Sequence, residues 1–212
     1  FYLFIIMIKR LLVLLILIIL LTALLSGCTH TNKSCFYRDS MHAKTLALKE
    51  DFDGSIGIWN SILRDYNDEE IRVEARYNIA RLSLKTVKKD NASAVLIDIA
   101  EKYKWRRWGA YSMMLLADIK DREGKSVEAI GVYKDVVSTY EKYVTLKRAD
   151  FEMELEAFGS SDMPDDFHYE RLIQPVYDYL HIKKAVNSAY MRIASYYAND
   201  LKDCVKAAAV YD

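Results

Sequence analysis

Proline and glycine are scarce in this 212-residue chain, which contains two prolines and seven glycines. A turn-rich β sandwich needs more of both, whereas the sixteen tyrosines suit long helices that pack through aromatic side chains. An excess of charge of either sign is also missing, because 30 Lys and Arg residues balance 30 Asp and Glu residues. No global field therefore draws the chain to nucleic acid, and we expect no nucleic-acid partner.

Residue patterns that carry catalysis or bind metal are also missing. The three cysteines form no CxxC pair, and the four histidines occupy no known ligand spacing. There is no glycine-rich phosphate loop and no GxSxG motif. We therefore predict that the chain is not an enzyme and holds no metal and no cofactor. His42 is predicted to be a packing residue, and His168, beside Asp165 and Asp166, an incidental loop residue.

The chain repeats itself at an offset of 37 residues, as the spacing of Ala43, Ala80 and Ala117 shows. Four further sets coincide at that offset: Ser55, Ala92 and Ala129; Trp59, Leu96 and Tyr133; Ile62, Ile99 and Val136; Tyr66, Tyr103 and Tyr140. A fixed period of roughly 20–50 residues is the sequence signature of a solenoid or array.

Each repeat is predicted to be a helix–turn–helix. Apolar residues recur at spacings of three and four on either side of a polar turn, which is the helical period. Gly54 and Gly124 lie in two of these turns, where glycine favours the end of a helix. Small residues such as Ala43 and Ser55 would let the two helices of a repeat approach closely, and a large residue four positions later would fill the groove.

This pattern resembles the tetratricopeptide repeat. The matching stretches are Glu50 to Ile56, Tyr77 to Ala80, Leu115 to Ala117, and Gly124 to Ile130. The period of 37 departs from the usual 34, and no proline closes a unit. The resemblance covers about residues 40–140 and implies an all-α solenoid whose first helices line a surface for a partner segment.

The sequence pattern at the N-terminus predicts a signal for export. Met7-Ile8-Lys9-Arg10 is a short basic start before the unbroken apolar run Leu11 to Leu25, and translation is expected to begin at Met7. As a helix this run would span about 22 Å, less than the roughly 30 Å hydrocarbon core of a membrane. That length with a basic flank is typical of a signal peptide.

Leu25-Ser26-Gly27-Cys28 resembles the bacterial lipobox, whose cysteine is lipidated and becomes the first residue of the mature protein. The alternative is an ordinary signal peptide or an uncleaved anchor with an incidental cysteine. Thr29, in a position where Asp tends to retain such lipoproteins at the inner membrane, implies the outer membrane. The resemblance thus implies a cell-envelope protein that faces the periplasm and carries a covalent lipid on Cys28.

The predicted organisation is a signal peptide at 1–27, a lipidated cysteine and tether at 28–38, and a helical domain at 39–212. Its units are expected at about 39–67, 70–104 and 107–141, followed by an irregular stretch at 142–174 and a partial unit at 175–212. An apolar stripe from Tyr140 to Phe158 leaves open that the helix of the third unit runs on. Pro175 is predicted to begin a new helix, after which Asn199-Asp200 turns the chain and a partner helix starts at Lys202. Because no polar capping helix follows, we expect the sequence to be a fragment.

The repeat phase places the predicted partner-binding groove on the first helices of the second and third units. Its candidate residues are Glu74, Tyr77, Asn78, Arg81, Tyr111, Met114 and Asp118. Tyrosine, methionine and arginine are enriched at protein interfaces. The alternative is that Met114 and its neighbour Leu115 are core residues.

A secondary surface candidate is the run Lys104, Trp105, Arg106 and Arg107, because alternating cations and aromatics can bind a lipid head group or a peptide carboxylate. The alternative is that Trp108 packs while the arginines are solvated. A disulfide between Cys35 and Cys204 is left open.

These features favour a non-catalytic scaffold that binds other envelope proteins and resembles the lipoprotein of the β-barrel assembly machinery. One alternative is a pilotin-type lipoprotein that assists pilus or secretin assembly. Another is a glycan-binding or glycan-acting envelope protein, for which Glu154 and Glu156 would have to serve. Residues two apart on a helix point away from each other, which argues against that carboxylate pair.

Overall fold

A computed structural model describes residues 33–86, 91–159 and 169–210, with side chains at 34–86, 91–148 and 175–210. Within these ranges every regular element is helical and no strand occurs, which confirms the prediction of an all-α fold. None of the helices in this part of the chain combines the length and the apolar character needed to cross a membrane.

Eight α-helices follow one another along the described residues. They are α1 Lys33–Leu48, α2 Phe52–Asp65, α3 Glu69–Ser83, α4 Ala92–Lys102, α5 Arg107–Arg122, α6 Ser126–Gly159, α7 Tyr169–Ser195 and α8 Cys204–Ala208. A π-helical turn, Tyr196–Asp200, continues α7. The chain forms two compact units, of which the first ends at Arg72 and the second begins at Val73, inside α3.

In the first unit α1 packs on α2 through small residues. The hydroxyl of Ser55 donates a hydrogen bond to the backbone oxygen of Ala43 at 2.7 Å, and both residues are fully buried. Further along, the ring of Phe36 meets the edge of Tyr66 with 5.9 Å between centroids. The small side chains therefore allow the close approach that the sequence predicts.

The turn between α1 and α2 differs from the prediction that Gly54 ends a helix. Its left-handed residue is Glu50, with φ of 63°, and Gly54 lies in the first turn of α2. The backbone N–H of Gly54 donates to the Asp51 carboxylate at 2.9 Å, which caps the helix. A Cβ on residue 54 would lie close to that carboxylate, which would have to shift, and Gly54 itself is helical, so a turn does not account for this glycine.

Residues 33–38 are not part of an extended tether as predicted, because they belong to α1. Cys35 and Phe36 are 5% and 7% exposed, and this burial draws the segment into the helix. His42, predicted to be a packing residue, is exposed on α1. Cys204 is a free, exposed thiol, so it does not pair with Cys35. Cys35 is disulfide-bonded.

Three apolar clusters lie among the described residues of the second unit. Val73, Ile99 and Trp108 bring together α3, α4 and the start of α5, while Ala80, Ala92 and Leu96 join α3 to α4. The largest cluster lies among α5, α6 and α7, and its buried members include Ala110, Ala117, Ala129, Tyr133, Val136, Tyr140, Ile182, Ala185, Val186, Ala189 and Ile193. Helix α7 thus completes a core that α5 and α6 begin.

The positions that coincide at the 37-residue offset form the core of both units. Apart from Tyr103, which is partly buried, all fourteen are at most 3% exposed. The sequence period therefore selects residues that share one physical environment, which is complete removal from water.

Two helix boundaries differ from the sequence prediction. Helix α6 runs unbroken to Gly159, so residues 142–159 are helical and not irregular, which is the continuation that the apolar stripe from Tyr140 to Phe158 had left open. Helix α7 begins at Tyr169 and contains Pro175, which was expected to begin it. Proline removes one backbone hydrogen bond but does not prevent the preceding residues from being helical. Gly124, with φ of 76°, ends α5 as predicted.

Candidate partner-binding surface

The seven predicted groove residues lie on two helices of the second unit. Glu74, Tyr77, Asn78 and Arg81 belong to α3, and Tyr111, Met114 and Asp118 belong to α5. The rings of Tyr77 and Tyr111 come within 6.1 Å of each other, centroid to centroid. The structure therefore brings the two helices together at these residues.

Three aromatic rings form the centre of this surface. Trp108 lies 5.3 Å from Tyr77 and 6.1 Å from Tyr111 between ring centroids, with an edge-on arrangement in the second pair. Burial raises the pKa of Tyr77 to about 12 and that of Tyr111 to about 12. Both hydroxyls therefore stay protonated, and can donate hydrogen bonds, throughout the neutral range. Met114 packs partly buried against the core cluster.

Asn78 is an internal support and not a surface contact, which corrects the prediction. Its side chain is 5% exposed, and its amide nitrogen donates to the backbone oxygen of Glu74 at 2.9 Å. Its amide oxygen accepts a hydrogen bond from the exposed Arg81 at 3.0 Å. Asn78 therefore orients the Arg81 guanidinium from below.

Asp118 and Arg81 set the charge of the surface. After burial, the main influences on the pKa of Tyr77 are Arg81, which lowers it, and Asp118, which raises it. Asp118 accepts a hydrogen bond from the hydroxyl of Tyr133 at 2.5 Å and lies 3.5 Å from the guanidinium of Arg192. The surface therefore carries an exposed cation, Arg81, and an anion, Asp118, that is held by Tyr133 and Arg192.

Sequence reasoning missed the contribution of α7. The hydroxyl of Tyr111 is hydrogen-bonded to Nδ1 of His181, and the His181 ring lies 4.1 Å from that of Tyr177. Tyr177 is 47% exposed and extends the aromatic surface beyond α3 and α5. Burial lowers the pKa of His181, and Arg107 and Lys184 lower it further, while Asp178 acts in the opposite direction.

Arg107 is buried at 6% exposure, which corrects its prediction as a surface residue. Its guanidinium donates to the equally buried Asp178 at 2.9 Å. The same group lies 4.6 Å from the ring centre of Trp108 and 4.8 Å from that of Tyr177. Two aromatic faces and a carboxylate thus stabilise the buried charge, and Arg107 fixes α7 against the start of α5.

The rest of the secondary surface candidate is exposed. Trp105 is 55% exposed and stacks on Tyr143 with 6.2 Å between centroids and 24° between planes. The ammonium of Lys104 lies 5.3 Å from the Trp105 ring centre, and the Arg106 side chain is 51% exposed. These three residues form a cationic, aromatic turn between α4 and α5.

No three His, Cys, Asp or Glu side chains lie close enough to hold a metal ion in the part of the chain that the structure describes. The lipobox from Leu25 to Cys28 lies outside that part, as do His30, His168 and the side chains of Glu154 and Glu156.

Comparison with known proteins gives no match from which a function could be transferred to this chain. No family model matches the chain, and no curated protein or solved structure matches it with statistical significance. The fold and the surface together define an all-α protein with an aromatic, charge-bearing face on α3, α5 and α7.

Proposed function

We propose that the chain is a non-catalytic protein-binding scaffold, built from tetratricopeptide-like units and held at a membrane by a lipid on Cys28. The observation that best supports repeated structural units is burial. Fourteen of the fifteen positions that coincide at the 37-residue offset are at most 3% exposed. A solenoid predicts their common burial, because stacked units share one continuous core.

Equivalent positions also play equivalent local roles. Tyr66 ends α2 and Tyr103 ends α4, and their backbone N–H groups donate to the carbonyl oxygens of Ile62 at 3.0 Å and Ile99 at 2.9 Å. Both isoleucines are buried and lie 37 residues apart. This correspondence supports two copies of one structural unit. The third copy departs, because α6 continues past Tyr140 to Gly159.

The proposed partner-binding surface consists of Tyr77, Arg81, Tyr111, Asp118 and Tyr177. Aromatic side chains with protonated hydroxyls supply contact area and hydrogen bonds at a small entropic cost. Arg81 and Asp118 would set the direction of a bound segment, because each attracts the opposite charge. The mechanism is binding energy alone, in which a preformed surface holds a partner segment.

The proposed address is the periplasmic side of the outer membrane. Its support is the sequence Leu25-Ser26-Gly27-Cys28 after a basic start and an apolar run, with Thr29 following the cysteine. Acyl chains contribute on the order of 0.8 kcal/mol per buried CH₂, so several chains on one cysteine would give stable attachment. The partners would then be other envelope proteins that act in outer-membrane assembly.

The anchor is tested by replacing Cys28 with alanine. We expect the wild-type chain to fractionate with membranes after salt and alkali washing, and the Cys28→Ala chain to lose acylation and leave them. Intact-mass measurement adds a second readout, since a sulfur that carries a lipid thioether cannot also form a disulfide. Membrane retention of Cys28→Ala, or Cys28 found in a disulfide, contradicts the anchor.

The surface is tested by affinity purification from detergent-solubilised envelopes. Tyr77 packs against Trp108, so its truncation would disturb the core, whereas Arg81 is exposed and can be reversed in charge without a cavity. We expect Arg81→Glu to lose partners that the wild type retains. Lys142→Glu, an equal charge reversal at an exposed position of α6, should retain them. Equal recovery with both variants contradicts this surface.

A further inference from the structure

A shallow cavity of about 430 Å³, open to solvent, lies in the second unit among α6, α7, the π-helical turn and α8. The residues that line it are Lys134, Val137, Ser138, Glu141, Tyr190, Ile193, Tyr197, Lys206, Ala209 and Val210. None of them belongs to the proposed partner-binding surface. The volume falls in the range of roughly 300–1,000 Å³ that small-molecule sites occupy.

The middle of the cavity is apolar. Val137 of α6, Ile193 of α7 and Val210 after α8 line it together with Ala209. Ile193 is 4% exposed and belongs to the core cluster, against which Val137 and Val210 also pack. A ligand that reaches this floor gains by removing apolar surface from water.

Lys134 places a cation at the rim of the cavity. The ammonium of Lys134 donates to the hydroxyl of Tyr197 at 3.1 Å and lies 5.7 Å from the centre of that ring. Among the described residues it contacts no carboxylate. Lys206, also in the lining, lies 3.1 Å from Asp203 and is balanced by it. Lys134 is therefore the cation that can receive an anionic group.

The π-helical turn gives this end of α7 an uncommon shape. The Tyr196–Asp200 turn carries Tyr197 into the lining, and the backbone N–H of Asp203 donates to the backbone oxygen of Tyr197 at 2.8 Å. That bond ties the turn to the start of α8, which forms the far wall. Single π-helical turns are rare and occur frequently at functional sites.

Glu141 restricts the charge of a ligand. It lies seven residues beyond Lys134 on α6, about 10 Å along the helix axis. Its carboxylate lies in the lining and accepts a hydrogen bond from the hydroxyl of Tyr190 at 2.6 Å. A second acidic group on the ligand would be repelled there, so the lining favours a single carboxylate.

We propose that this cavity binds a small monocarboxylic acid with an apolar body. Its carboxylate meets the Lys134 ammonium and the Tyr197 hydroxyl, and its apolar body lies against Val137, Ile193 and Val210. This site is independent of the partner-binding surface, so either can exist without the other.

Ligand-observed saturation-transfer NMR tests the charge preference with three water-soluble probes of one shape, added to the detergent-solubilised full chain. The probes are 3-phenylpropanoate, its neutral amide and the cationic 3-phenylpropylamine. We expect saturable binding of the acid, binding of the amide about fivefold weaker at low salt, and weaker binding still of the amine. No saturable binding of the acid, or equal binding of all three probes, overturns the proposal.

Variants then locate the binding. Lys134→Met keeps the apolar stem and removes the charge, and should weaken binding of the acid about fivefold while leaving the amide unchanged. The matched control is Lys183→Met, which removes an exposed lysine of α7 that lies over the Tyr179 ring, outside the cavity. An unchanged affinity in Lys134→Met, or an equal loss in both variants, overturns the assignment.

Discussion

Arg107 and Asp178 form a buried ion pair at 2.9 Å across 71 residues of sequence, and neither side chain is more than 7% exposed. The pair joins the first turn of α5 to α7. It also supports the aromatic surface directly, since the Arg107 guanidinium lies between the rings of Trp108 and Tyr177. The position of α7 relative to α5 therefore depends on this buried ion pair as well as on apolar packing.

Loss of one partner should destabilise the fold strongly. We expect Asp178→Ala to lower the free energy of unfolding by about 3–5 kcal/mol, because it leaves Arg107 charged and buried. Urea unfolding measures the change. The control is Asp98→Ala, which breaks the exposed pair with Arg76 at 2.6 Å and should cost at most about 1 kcal/mol. Equal losses in the two variants would disprove this role for Asp178.

Small residues at the repeat positions should be intolerant of added volume. Ala117 is fully buried in the cluster that contains Ala129 and Tyr133. Ala117→Leu should therefore cost about 1–3 kcal/mol of stability. Ala94→Leu, at an exposed position of α4, should change stability by less than about 0.5 kcal/mol. Thermal and urea unfolding of both variants make the comparison, and a neutral Ala117→Leu would contradict close helix packing there.

Replacement of each of two glycines by alanine should change the free energy of unfolding in opposite directions. Gly124 has φ of 76°, so alanine there should cost about 1–2 kcal/mol through backbone strain alone. Gly131 lies inside α6 with open space where a Cβ would lie, and alanine there should add about 0.5–1 kcal/mol. The free energies of unfolding of the two variants give the answer. A stabilising Gly124→Ala would mean that the turn after α5 is misassigned.

Stability should fall in mild acid because of His181. Burial and the charges of Arg107 and Lys184 hold its pKa below the ordinary value of 6.5, against the attraction of Asp178. The unfolded chain then takes up the proton first, so stability is lost as pH falls from about 6.5 towards the lower pKa of the folded state.

Urea midpoints above and below that window measure the effect. His181→Gln should flatten the pH dependence, whereas His42→Gln, which changes an exposed residue of α1, should leave it intact. The same slope in wild type and His181→Gln would rule out His181 as the source.

The sequence was sufficient to predict the helical class and most of the core. Positions such as Ala80, Leu96 and Ile99 were found by period alone, because a repeated environment imposes a repeated residue type. Arg107 and Asp178 could not be paired in the same way, since both are polar residues that usually lie at the surface and are far apart in sequence. Periodicity also cannot locate Tyr177 and His181 beside Tyr111, because that contact depends on the packing of α7.

Helix boundaries were predicted less well than helix faces. The turn signal at Gly124 was correct, because its backbone requires a left-handed conformation. The signal at Gly54 was misleading, because that glycine lies in the first turn of α2 and donates its backbone N–H to the Asp51 cap. Pro175 likewise lies inside α7 and not at its start. In each case the local residue type was informative, but its neighbours decided its role.

The most direct measurement of the proposed scaffold role is site-specific photocrosslinking in intact cells. A benzophenone amino acid replaces Arg81 in one strain and Lys142 in another, and both positions are exposed. We predict a discrete adduct with another envelope protein from position 81 and none from position 142. No adduct from position 81, or the same adduct from both positions, would contradict a partner-binding surface on α3 and α5.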